Sequence, residues 1–218
     1  MSEFWDEMFR KIGSSWSFEP TDSALQVSEL FASKHFNKVL IPGVGFGRNA
    51  KPFVEKGINV TGIEISETAI RLARENGLEF PIHHGSVAQM PFDDSVYDGI
   101  YCYALIHLFN QNERRQFLKD CYNQIREGGL MAFITVSKGY TNLYENGKPI
   151  SKDRFRIQNG LKVFFYDSVS IEREFGKFGL IEYTEIEESV KHMPNEKPMK
   201  FWMVVCRKTV ILCLFSLN

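Results

Sequence analysis

Residues 39–50 read VLIPGVGFGRNA and residues 60–70 read VTGIEISETAI, and together they decide the fold. The first stretch begins as a short apolar run and passes straight into a turn with glycines at 43, 45 and 47; helical spacing follows over 50–56. Glycines at 43 and 45 let the chain turn tightly and let a ligand come against the backbone, while the helix behind them offers free N–H groups to a carboxylate or phosphate. The second stretch is another apolar run, and it carries Glu64 near its carboxyl end, 17 residues after Gly47. A carboxylate placed there can accept hydrogen bonds from both hydroxyls of a ribose.

Working outward, apolar runs recur at 38–41, 58–65, 81–84, 97–105, 130–136, 180–186 and 201–206. Most are too continuous in Val, Ile, Phe and Leu to have a solvated face, so they read as seven strands of a largely parallel sheet with helices on both sides. Between them, residues 66–76 have a Ser N-cap, apolar Ala69, Ile70 and Ala73 on one side and Gly77 as a stop; they are expected to be helical. Residues 112–126 repeat the pattern and end at Gly128-Gly129. The last two strands are joined by residues 187–200, which hold two prolines and no helical spacing, so they are expected to pair as an antiparallel hairpin at the sheet edge. The expected organisation is a single α/β domain over 1–208, with an N-terminal helical cover over 1–35 carrying Phe4, Trp5, Phe9, Trp16 and Phe18, and a lid loop over 138–166. The apolar tail at 209–218 is far shorter than the about 20 residues a membrane span needs, and it has no assigned role.

Dinucleotide sites use G-x-G-x-x-G, and here Arg48 stands where the third glycine would fall; Gly47 makes the pattern G-x-G-x-G, which favours S-adenosylmethionine (SAM). VLIPGVGFGRNA, VTGIEISETAI, GSVAQMPFDDSVYDGIYCYALIHL at 85–108 and IREGGLMAFITV at 125–136 resemble successive motifs of class I SAM-dependent methyltransferases. The GRNA turn and the surroundings of Glu64 are similar to the tellurite-resistance type, and the IPG opening resembles the thiopurine type. The resemblance covers roughly 36–137 and implies a Rossmann-like sheet with an antiparallel C-terminal hairpin strand, extending it to about residue 207.

Position by position, the resemblance implies that Gly43, Gly45 and Gly47 lie against the methionine part of SAM, that Glu64 holds the ribose and that Ile65 packs on the adenine. Ser86 and Val87 match the place where the family often puts an acidic residue and a backbone N–H on the adenine. Tyr103 and Ala104 match residues whose backbone meets the methionine amino group. Many members have an Asp two residues before the first glycine; Ile41 stands there, and Arg48 is the candidate to supply a charge for the SAM carboxylate.

SAM activates its own methyl group, so the enzyme's main task is to align the acceptor, and no catalytic residue is compulsory. His107 is the candidate base where a proton must leave. Tyr101, Tyr140, Tyr144, Arg154 and Phe164 are the candidates to line the acceptor side. With 26 basic and 27 acidic residues, the chain has no electrostatic footprint for nucleic acid or an anionic membrane, so a small-molecule acceptor and a monomer or homodimer are expected. Cys102, Cys121, Cys206 and Cys213 show neither zinc spacing nor a disulfide framework, so no metal site is expected. The N-terminus lacks a signal-peptide pattern, and the expected location is cytoplasmic. Two other readings stay open: a catalytically inactive SAM- or partner-binding protein on the same fold, and an NAD(P)-dependent oxidoreductase.

Overall fold

A computed structural model describes residues 2–13, 17–189 and 197–209. Trp16, residues 190–196 of the expected 187–200 connection and the tail beyond Thr209 lie outside the described residues. The elements run α1 (Ser2–Ile12), α2 (Asp22–Ser33), β1 (Lys38–Pro42), α3 (Lys51–Glu55), β2 (Asn59–Glu64), α4 (Glu67–Glu75), β3 (Ile82–His84), β4 (Tyr97–Tyr103), α5 (Gln111–Gln124) and β5 (Ile125–Val136). They continue with α6 (Thr141–Glu145), β6 (Lys148–Ser151), β7 (Arg154–Arg156), β8 (Lys162–Phe164), α7 (Ser168–Phe175), β9 (Leu180–Glu188) and β10 (Met199–Arg207).

Seven strands form one sheet in the order β3-β2-β1-β4-β5-β10-β9. β1 to β5 are mutually parallel, and β10 runs antiparallel to both β5 and β9. The expected mixed sheet with an antiparallel hairpin strand is what forms. Period-2 alternation builds two cores. Val39, Ile41, Tyr101, Ala132 and Ile134 face one side, against Ala24, Val27 and Phe31 of α2. Leu40, Ile100, Cys102, Met131 and Phe133 face the other, against α5 and α7. The strands therefore carry apolar side chains on both faces, which is why they read as continuous runs.

The helix starts follow their caps. The Ser66 hydroxyl accepts from the Ala69 N–H at 3.1 Å to open α4, and Asn110 with Glu113 closes a capping box at the start of α5. α5 stops earlier than its sequence suggests. Ile125 already pairs with Tyr97, and the register then slips so that Gly99 faces Leu130, absorbing Gly128 and Gly129 in an irregularity of β5. A larger correction concerns 138–166. It is not an open loop: it folds into α6 and a three-stranded antiparallel sheet, β6-β7-β8. A tight turn closes β7 on β8, with the Ile157 N–H on the Leu161 carbonyl at 2.9 Å and Gly160 at φ +86°.

Candidate active site

The strand order reverses between β1 and β4, since β1 connects outward to β2 while β4 lies on its other side. Ligands of open α/β sheets sit at the carboxyl ends of the strands at such a point. A cavity of about 400 Å³ opens there, within the range of ordinary ligand pockets.

The glycine turn forms its floor. The Gly43 and Val44 N–H groups donate to the Ile63 carbonyl, that of Gly45 to Glu64 Oε2 at 2.8 Å, and that of Gly47 to the Val44 carbonyl. These amides are spent inside the protein, so the turn offers a ligand close approach rather than donors. The glycines at 45 and 47 differ in use. A Cβ on Gly45 would stand 3.6 Å from the Phe9 ring, beside the cavity; a Cβ on Gly47 would run into Leu78 Cδ1. Gly47 is accordingly not among the residues lining the cavity.

Glu64 is buried at 5% exposure, and its Oε1 accepts from the Ile65 and Ser66 N–H groups at 2.9 Å each. Burial raises its pKa above the usual carboxylate range, against the lowering effect of the three backbone donors, and Asp6 adds to the rise. A carboxylate has about four acceptor positions, and three are taken, which leaves about one for a ligand hydroxyl rather than one for each. Ile65, Ser86, Val87, Tyr103, Ala104 and Arg48 also line the cavity. Ser86 caps the short turn that follows it, accepting from the Ala88 N–H at 3.3 Å.

The N-terminal cover closes the other side. Trp5, Met8 and Phe9 of α1 line the cavity, and Asp6 ties that helix down by accepting from Ser66 Oγ at 2.6 Å and the Thr68 N–H at 3.1 Å.

Next to this space lies a second cavity of about 170 Å³; Trp5, Ala104 and Leu108 line both. Its walls include His107, Tyr140, Ile157, Leu161, Val163 and Phe201. His107 is buried, and its Nδ1 accepts from the Val136 N–H at 3.3 Å, with Thr135 Oγ1 also at 3.3 Å. A backbone N–H can only donate, so Nδ1 carries the lone pair and the proton resides on Nε2. Burial lowers the His107 pKa to about 3, which keeps the ring neutral. In this arrangement the lone pair of the neutral ring meets a backbone donor, which does not favour the role of base expected for His107.

The expected acceptor-side residues divide. Tyr101 lines the larger cavity, with its hydroxyl 3.3 Å from Ser23 Oγ, and Tyr140 lines the smaller. Tyr144, Arg154 and Phe164 line neither. Tyr144 packs between Phe155 and Phe165, Arg154 reaches the Leu108 carbonyl, and Phe164 lies under the Arg114 guanidinium at 3.9 Å. Ile157, Leu161, Val163 and Phe201 were not among the expected residues. The dipeptide Asn159-Gly160 is a hairpin-turn signal; it falls in the turn joining β7 to β8, which carries Ile157 and Leu161, with Val163 following on β8.

Residues 40–133 match a family model described as a methyltransferase domain. A demethylmenaquinone methyltransferase of Listeria monocytogenes is 31% identical over 145 residues, 63% of this chain and 54% of that one. The chain spans about half the length of the curated relatives it matches. Among solved structures, TehB from Haemophilus influenzae superposes with a TM-score of 0.66 at 17% identity, covering 94% of this chain and 67% of that one. The 1,6-didemethyltoxoflavin-N1-methyltransferase of Burkholderia thailandensis, solved with 1,6-didemethyltoxoflavin and S-adenosylhomocysteine bound, gives 0.65 at 16%, covering 87% and 80%. At such identities the structural likeness speaks for the fold. No helix among the described residues is long and apolar enough to cross a membrane.

Proposed function

We propose that this chain, whose residues 40–133 match a methyltransferase-domain model, is a class I SAM-dependent methyltransferase that transfers the methyl group of SAM to a small-molecule acceptor, mainly by holding the two in line. The observation that carries this reading is the pair of adjoining cavities at the switch point of the sheet, one of cofactor size and one smaller, with Trp5, Ala104 and Leu108 in both walls.

The residues of the larger cavity fit the cofactor. Glu64 keeps an acceptor position for a ribose hydroxyl, Ile65 and Val87 give apolar walls to a flat base, and Arg48 supplies a charge for a carboxylate. When bound, SAM supplies an electrophilic methyl group on a sulfonium. The chain's own contribution is to exclude water through α1 and to fix the two partners, a kind of orientation worth about 7–11 kcal/mol in well-aligned systems.

Calorimetric titration with SAM and S-adenosylhomocysteine, beside Glu64→Ala and an NADH control, tests the proposal. Binding by the wild type that falls about tenfold or more in Glu64→Ala is the expected result, in line with the loss of a charge-assisted hydrogen bond. A folded protein that ignores both ligands and takes NADH instead returns the oxidoreductase reading. Binding with no methyl transfer to any member of a broad acceptor panel favours the inactive binder.

A further inference from the structure

The second cavity says what kind of acceptor it takes. Its volume of about 170 Å³ is close to that of apolar cavities of about 150 Å³ that bind benzene, so it holds about one ring. None of the side chains lining it is charged. Arg154, a candidate from the sequence to line the acceptor side, is turned to the Leu108 carbonyl and does not line it. A charged group buried there would meet no charged side chain of the protein's lining, and such burial is unfavourable. Among the polar groups of the lining, the imidazole of His107 is held in a fixed direction. The His107 ring lines the cavity with Nδ1 engaged by the Val136 N–H, and its Nε2 has no partner among the described residues.

We propose that the methyl acceptor places an uncharged, single-ring-sized apolar group in this second cavity, and that the His107 Nε2–H orients it by donating a hydrogen bond to one acceptor atom on that ring. The inference rests on the larger cavity being the cofactor's. It assigns His107 the role of donor, and the alignment of the ring, not removal of a proton, becomes what the residue contributes.

The test uses the full chain, with and without saturating S-adenosylhomocysteine, and three probes read by ligand-detected NMR: acetophenone, ethylbenzene and benzoate. Acetophenone should bind about tenfold more tightly than ethylbenzene, the ratio expected of one donated hydrogen bond, and benzoate should be weakest. In His107→Phe the advantage of acetophenone over ethylbenzene should vanish while ethylbenzene still binds. Leu161→Trp, which fills the cavity, should exclude all three and leave S-adenosylhomocysteine binding intact. Nitrogen-15 NMR of the wild-type imidazole should place the proton on Nε2, and this needs no variant to fold. Equal affinity for acetophenone and ethylbenzene, or a proton on Nδ1, overturns the donor role. Preference for benzoate overturns the uncharged class, and no binding of any probe in either state overturns the ring-sized site. Failure to bind S-adenosylhomocysteine is a different result: it removes the methyltransferase reading, and the probes still report on the cavity.

Discussion

At the scale of single residues, the glycine turn shows how one motif divides its labour. Gly45 borders the larger cavity, and Gly47 gives its missing side chain to Leu78 on the far side of the turn. The two are indistinguishable in the sequence, where both read as ligand-facing, because a pattern of spacing does not say which way an absent Cβ would point. Alanine separates them. Gly45→Ala adds a Cβ at an ordinary distance from Phe9 and pays for its φ of +58°, a cost of about 1–2 kcal/mol, so the fold survives. Its affinity for S-adenosylhomocysteine should fall about tenfold by calorimetry. Gly47→Ala overpacks Leu78 as well as straining the backbone, which costs about 1–3 kcal/mol more. Its melting temperature should drop by about 5–10 °C, and Gly47→Ala with Leu78→Ala should lose less than the sum of the two single changes. Additive losses would mean that the contact with Leu78 is not what Gly47 serves.

At the scale of elements, α1 is held to the start of α4 by a small polar contact and presses three side chains into the cavity. Asp6 acts as an extra cap on α4, contributed by another helix. Asp6→Ala should loosen α1 without touching either core, weakening S-adenosylhomocysteine about fivefold and exposing the 2–13 region to limited proteolysis, with the melting temperature of the remainder little changed. Unchanged affinity would show that α1 covers the cavity without closing it. The sequence made the parallel strands legible because each is apolar on both faces, and the acidic end of β2 was legible because Glu64 interrupts such a run. β6, β7 and β8 were not, since strands of three or four residues carry too little alternation to be told from a loop. The second cavity was illegible for a related reason. Its walls come from the turn after β4, the turn and strand at 157–163 and the start of β10, and Leu, Ile, Val and Phe there are the same types that fill the core.

At the scale of the whole molecule, Glu64 and Glu188 at strand ends and His107 just beyond β4 are polar groups buried at some cost to stability. Burial raises the pKa of Glu64, and also that of Glu188 at the end of β9, which accepts from the Asp22 and Ser23 N–H groups at 3.1 Å. Their contributions to stability are fully present below the unfolded carboxylate value and are lost as pH rises through the raised one. His107 acts in the opposite direction. Its pKa falls from 6.5 to about 3 on folding, so between those values the unfolded chain binds the extra proton, and stability declines as the solution is acidified. From pH 7.5 to 5.0 this one ring should cost about 2 kcal/mol, at about 1.4 kcal/mol for each unit below 6.5. The two carboxylates, whose pKa values burial raises, also make stability depend on pH, so wild type alone does not isolate the ring. His107→Asn keeps a side-chain oxygen for the Val136 N–H but has nothing to protonate. Urea unfolding of both proteins at pH 7.5 and pH 5.0 should show the variant losing about 2 kcal/mol less than the wild type on acidification, even though it starts less stable. Parallel losses in the two proteins would mean that His107 binds its proton in the folded state too, and a charged imidazolium would then face the second cavity at pH 5.0.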